Sequence, residues 1–185
     1  IALIKHEEDA EVAGAIVSLN QRRVLTWGGR TARLWDARGA PIGAVLEHEH
    51  GVNGALFSAN ESRILTWSAD GRAQLWDAAN QARIGAPMLH DDMTGALLQP
   101  REGRVLTWSE DGTTRLWNPA NGRRVELPHE SEIAEALFST DGSRLLTRSA
   151  DGSARLWNAA NGALIGALRH EQHSEDGVRG VLFAD

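Results

Sequence analysis

A chain of 185 residues, 42% hydrophobic and 24% charged, has the makeup of a soluble globular protein, and no apolar run approaches the roughly 18 residues of a membrane helix. Its 25 acidic against 19 basic residues, a formal charge of −6, argue against nucleic acid or an anionic membrane as partner. Zero cysteines exclude a disulfide framework and any thiolate metal site, and they fit a reducing, cytoplasmic compartment.

The chain opens IALIKHEEDA, with neither an initiator methionine nor a cationic, apolar leader, and is expected to be a piece of a longer protein. Residues 1–5 match the ALIGAL phrase at 163–168 and are expected to form a lone outer strand. Four complete units follow, at about 6–46, 48–88, 90–127 and 129–168, with a partial unit at 170–185 whose GVLFAD matches the start of a unit. An apolar-x-His-acid element recurs at His6, His48, His90, His129 and His170. Small-residue phrases come next: GAIVS from Gly14, GALFS from Gly54, GALLQ from Gly95 and EALFS from Glu135. Then stand VLTW ending at Trp27, ILTW at Trp67, VLTW at Trp108 and LLTR at Arg148. Leu-Trp pairs close each unit's pattern at Trp35, Trp76, Trp117 and Trp157, spaced 41, 41 and 40 residues apart. All seven tryptophans and five of seven histidines fall on this grid, so a repeat sets their positions.

In the second unit the breakers SANES, SADG and DAANQ separate predicted strands at 53–58, 63–68, 72–77 and 83–88. Asn121-Gly122 and Asn161-Gly162 mark the third turn elsewhere, where a tight hairpin needs positive φ. Four antiparallel strands in about 40 residues make one blade of a β-propeller. The first strand of each unit is rich in Gly and Ala, as innermost strands around an axis require. Pro87 and Pro128 are placed at the end of the fourth strand, which must then be an outer edge. The fold class is therefore all-β, a propeller segment of four complete four-stranded antiparallel blades with one flanking strand at each end.

LWD at 34–36 and 75–77, LWN at 116–118 and 156–158, and the turns Asp70-Gly71, Asp111-Gly112 and Asp151-Gly152 resemble the WD-repeat (WD40) propeller family over essentially the whole chain. That family's Gly-His dipeptide stands here as x-His-Glu or x-His-Asp. The resemblance implies a hydrogen-bonded relay buried in each blade. Its members would be His48, Thr66, Asp70 and Trp76; then His90, Thr107, Asp111 and Trp117; then His129, Thr147, Asp151 and Trp157. An aspartate there can accept from an imidazole N–H and a hydroxyl, and the hydroxyl oxygen from an indole N–H; each group buried alone would cost roughly 1–3 kcal/mol. The first unit reads WGGRTARLWD without the turn aspartate, so His6, Thr26 and Trp35 are expected to lack their acceptor. Strand alternation sends Trp27, Trp67 and Trp108 to the other face, between blades; Arg148 breaks that series and reads as repeat drift.

A histidine, a hydroxyl and an aspartate would suggest a hydrolytic triad if they met once, in an open cleft. Recurring inside every good repeat, they read as structure. His48 with His50, and His170 with His173, lack a third ligand, and no nucleotide motif is present, so neither metal nor cofactor is expected. Alternating chain direction sorts the loops onto two rims. One collects ten arginines against five acids; the other is strongly acidic, with Glu47 and Glu135 among its members. A protein or peptide partner of basic character is expected there, touching Glu7, Glu8, Glu49, Asp91, Asp92, Glu130 and Glu132. The flat faces at the two ends of the array offer self-association. The chain thus reads as a non-catalytic protein-interaction scaffold resembling bacterial repeat arrays. The alternative is the repeat or sensor region of a multidomain bacterial signalling enzyme (an NTPase, kinase or protease) whose catalytic domain lies outside the chain.

Overall fold

The computed structural model describes residues 11–101 and 103–169. The flanking strands expected at 1–5 and within 170–185 lie outside the described residues, as do His6, Glu7, Glu8, His170 and His173. Every described regular element is a strand, and each run of four consecutive strands closes into its own antiparallel sheet. The first sheet holds β1 (Gly14–Val17), β2 (Arg23–Gly28), β3 (Thr31–Asp36) and β4 (Pro41–Glu47). The second holds β5 (Val52–Phe57), β6 (Arg63–Ser68), β7 (Arg72–Asp77) and β8 (Arg83–Leu89). The third holds β9 (Met93–Leu98), β10 (Val105–Ser109), β11 (Thr114–Asn118) and β12 (Arg123–Glu126). The fourth holds β13 (Ile133–Phe138), β14 (Arg144–Ser149), β15 (Ser153–Asn158) and β16 (Leu164–Arg169). This is an all-β blade array.

Turn chemistry explains the hairpins. Gly122 and Gly162 sit at φ 68° and 73° in the turns before β12 and β16, as the Asn-Gly pairs require. In the second sheet Gln81 takes the same position at φ 59° and offsets the left-handed backbone by donating from its amide to the Ala78 carbonyl at 3.0 Å. The fourth strand of each sheet is an edge, which tolerates Pro41 and Pro87. Pro128 is a correction: β12 ends at Glu126, because Leu127 turns inward and donates its N–H to Thr114.

The core lies between sheets. Leu25, Ala32, Leu34 and Leu46 of the first sheet pack against Ala55, Ile64 and Trp76 of the second, with Trp27 partly buried on the same cluster. Equivalent clusters take Trp67 between the second and third sheets and Trp108 between the third and fourth. Each of these indoles also lies over the glycine paired with it across the strands, Gly14, Gly54 or Gly95; a β-carbon there would fall inside the ring's van der Waals envelope. In the fourth sheet both partners change together. Glu135 replaces the glycine and Arg148 the tryptophan, the two are cross-strand neighbours, and the guanidinium meets the carboxylate at 3.3 Å. Arg148 is therefore half of a compensated pair, and Glu135 is a strand residue and no part of the acidic rim.

No described sheet follows the fourth. Gly43 of β4 abuts Gln81, and Gly85 of β8 abuts Pro119, each in the following sheet, whereas nothing stands within 4 Å of the corresponding Gly166 among the described residues. Leu164, Ile165 and Leu168 of β16 are exposed, as are Val17 and Leu19 at the other end of the array.

Candidate functional site

Strand register brings the polar groups of each sheet together. Thr26, Thr66, Thr107 and Thr147 are all buried, one per sheet, on the second strand. The indole N–H groups of Trp35, Trp76, Trp117 and Trp157 donate to these hydroxyls at 2.8, 2.8, 2.9 and 2.8 Å. Trp35 therefore has its acceptor in Thr26 although the first unit has no turn aspartate. The reason is geometric: the indole is met by the neighbouring strand, not by the turn.

An indole N–H can only donate, so the threonine oxygen accepts it, and the Thr66, Thr107 and Thr147 hydroxyls each also meet a histidine nitrogen. His48 Nε2 lies 2.7 Å from Thr66 Oγ1, His90 Nδ1 2.7 Å from Thr107 Oγ1, and His129 Nε2 3.1 Å from Thr147 Oγ1. The Thr66 and Thr147 hydroxyls also reach the carbonyls of Gln74 at 3.5 Å and Arg155 at 3.4 Å, whereas the bonds of His90 through Thr113 to Asp111 fit a neutral imidazole with its proton on Nε2. Desolvation by burial favours the neutral state, lowering the pKa of His48 and taking His90 and His129 from 6.5 to about 4. The His48 and His129 rings also stand edge-on to Trp76 and Trp157.

The aspartates do not all close the relay. Asp70 Oδ2 is 3.8 Å from His48 Nδ1, too long for a hydrogen bond. In the third sheet Thr113 is interposed: His90 Nε2 meets its hydroxyl at 2.6 Å, and that hydroxyl donates to Asp111 at 2.7 Å. In the fourth, His129 Nδ1 and Asp151 Oδ2 are both buried without a hydrogen-bond partner. Competition for the carboxylates is the physical reason. Each aspartate accepts a backbone N–H two residues ahead in its own turn, from Arg72 at 2.9 Å, Thr113 at 2.8 Å and Ser153 at 2.8 Å. Asp70 also accepts the Glu49 N–H, and Asp111 the Ser109 hydroxyl. These bonds lower the Asp111 pKa to about 2, Ser109 contributing most.

Acid sensitivity follows. A group with its pKa lowered on folding binds more protons unfolded than folded between the two values, so stability is complete above the unfolded value and falls as pH drops through the interval. For His90 and His129 that interval runs from 6.5 down to about 4, and for Asp111 from 3.8 down to about 2. Urea midpoints are expected to fall steadily between about pH 6.5 and pH 4, with further loss below. A flat profile over the upper interval would contradict the buried, neutral imidazoles.

The expected partner-binding acids sit on the connections between sheets. Glu49 follows β4, Asp91 and Asp92 join β8 to β9, and Glu130 and Glu132 join β12 to β13; all five are exposed. Arg72 reaches Glu49 at 2.5 Å and Arg155 reaches Glu130 at 3.9 Å, yet the two carboxylate side chains remain 66% and 69% exposed. Among the described residues no three histidine or acidic side chains gather to hold a metal.

A family model described as "WD domain, G-beta repeat" (WD40) matches residues 39–77 and 124–158. This chain carries WD40 repeats. No curated protein matches it. Among solved structures, the WD40 chain is similar to the crystal structure of the computationally designed Ika8 protein, with a TM-score of 0.70 and 21% identity. That match covers 91% of this chain and 52% of the other, so the WD40 array spans about half the length of the designed chain. Since 1452 solved chains match, the likeness identifies a fold shared by many proteins and no single activity.

Proposed function

We propose that this WD40 array is a non-catalytic platform that binds a basic protein or peptide along its acidic rim. WD40 domains generally bind proteins or peptides. The observation that carries the finer reading is the division of polar groups between inside and outside. The histidines and threonines with the chemistry for catalysis are spent on one another and on buried indoles. Glu49, Asp91, Asp92, Glu130 and Glu132 are presented to solvent on three successive connections. Carboxylates spaced along a rim attract a cationic segment from a distance and set its register. A reducing, cytoplasmic setting is part of this proposal, supported by the cysteine-free composition.

Titration with a lysine- and arginine-rich peptide across about 50–300 mM salt tests this reading, because screening weakens exposed electrostatics. Affinity is expected to fall steeply with salt in the wild type. Reversing Glu49, Asp91, Asp92, Glu130 and Glu132 to lysine together should weaken binding at least about tenfold at low salt and flatten the salt dependence. Equal affinity in the reversed variant would overturn the proposal.

A further inference from the structure

Each buried threonine has a fixed cross-strand neighbour: Thr26 faces Arg33, Thr66 faces Gln74, Thr107 faces Arg115 and Thr147 faces Arg155. Three are arginines and one is not. In the third sheet Arg115 Nη1 donates to the carbonyl of Leu89, the residue before His90, at 3.0 Å. In the fourth, Arg155 Nη1 donates to the carbonyl of Pro128, the residue before His129. Each guanidinium also approaches a carboxylate, Glu126 at 3.6 Å and Glu130 at 3.9 Å.

Gln74 is shorter and carries no charge. Its Nε2 donates instead to the carbonyls of Leu75 at 2.8 Å and Ile84 at 3.4 Å, which fixes the orientation of the amide. The other end, Oε1, has no hydrogen-bond partner, in a side chain only 3% exposed. Gln74 and Glu47, the residue before His48, line a cavity of about 580 Å³. Glu49, Asp70, Arg72 and Arg83 complete its charged lining. Both arginines are already committed, Arg72 to Glu49 at 2.5 Å and Arg83 over the Trp76 ring at 5.3 Å. Three carboxylates against two guanidiniums leave a negative balance, and the volume suits an arginine side chain with flanking peptide.

We propose that this cavity receives a guanidinium from outside the chain, an arginine side chain of a bound peptide taking the place that Arg115 and Arg155 fill in their own sheets. Its acceptors are the Glu47 carbonyl, the orphaned Gln74 Oε1, and the Glu47 and Glu49 carboxylates. Several acceptors at different angles favour the five-donor guanidinium fork over the point charge of lysine. The proposal rests on the basic-partner reading above and adds to it a specific pocket in the second sheet.

NMR titration of the whole chain with a capped Gly-Arg-Gly tripeptide, its Gly-Lys-Gly counterpart and free arginine tests it. The arginine tripeptide is expected to give saturable shifts of the Gln74 side-chain amide and the His48 ring, with the lysine tripeptide at least about tenfold weaker. Tighter binding of the tripeptide than of free arginine supports a peptide ligand; the reverse order overturns that source. Gln74→Arg supplies the guanidinium in cis, as the third and fourth sheets do, and should abolish binding while thermal unfolding shows an intact fold. If that variant does not fold, Gln74→Met keeps the volume, removes the acceptor and should weaken binding several-fold. Unchanged tripeptide binding in a folded variant overturns the inference. So does an absence of saturable binding while a longer basic peptide still depends on the rim acids, a result that leaves the platform reading standing. Conversely, tripeptide entry that persists while rim reversal has no effect on the longer peptide would remove only the platform reading.

Discussion

Replacing Thr107 by valine is expected to destabilise the protein by about 3 kcal/mol without changing its fold. Valine matches threonine in shape, so no cavity opens; what is lost is the hydroxyl on which two buried groups converge. Trp117 Nε1 donates to it at 2.9 Å, and His90 Nδ1 takes its proton at 2.7 Å. Each group left buried and unpaired costs roughly 1–3 kcal/mol, and water cannot replace the hydroxyl because Thr107 is 0% exposed. The variant should also lose part of its acid sensitivity between about pH 6.5 and pH 4, since His90, with one partner fewer holding it neutral, protonates in the folded state closer to its unfolded value. Thr94→Val is the control: its hydroxyl meets the Trp108 carbonyl at 3.4 Å in an exposed position, and its loss should change stability by less than about 0.5 kcal/mol. Equal losses in the two variants, measured by urea unfolding, would show that the buried hydroxyl is not a hub.

Trp108→Ala is expected to cost about 3 kcal/mol, the lower end for tryptophan truncation because the ring is only partly buried. Removing it exposes the cluster of Leu106, Leu116, Leu127 and Ile133 that joins the third sheet to the fourth. The paired glycine makes the reciprocal prediction. Gly95→Ala places a methyl against the Trp108 ring and should cost about 1–3 kcal/mol by overpacking. The fourth sheet supplies the test of pairing. Arg148→Trp alone sets an indole against the β-carbon of Glu135 and strands that carboxylate, whereas Arg148→Trp with Glu135→Gly recreates the pair of the other sheets. The double variant should therefore be more stable than the two single effects predict, by at least about 1 kcal/mol. Additive effects would mean that Arg148 and Glu135 changed independently.

Much of this was legible from residue spacing. Strands β6 and β7 fall on the predicted 63–68 and 72–77, because apolar alternation and Gly, Asn and Asp turns act within a few residues of chain. The threonine–indole pairing could likewise be drawn from the register of one hairpin. The aspartates could not. Their position two or three residues before a strand identified them as turn residues, but the competition between a histidine and the turn's own N–H groups is decided by differences of about an ångström. Thr113 offered a signal that was missed: it stands where the second and fourth sheets carry Arg72 and Ser153, and a hydroxyl there can bridge imidazole and carboxylate. Glu135 was misplaced on the rim because only its strand partner, Arg148, reveals its role.

The sequence by itself determined the four-strand unit, its repetition, and which residues of each unit share a face. These follow from local pairing, which every repeat can satisfy with its own hairpins. Only the tertiary structure decided which polar atoms remain unpaired and where space is left unfilled. Gln74 among three arginines was visible as a substitution, but a shortened side chain leaves a cavity only if no neighbour moves in. Packing from distant parts of the chain settles that, and residue order does not encode it within any one repeat.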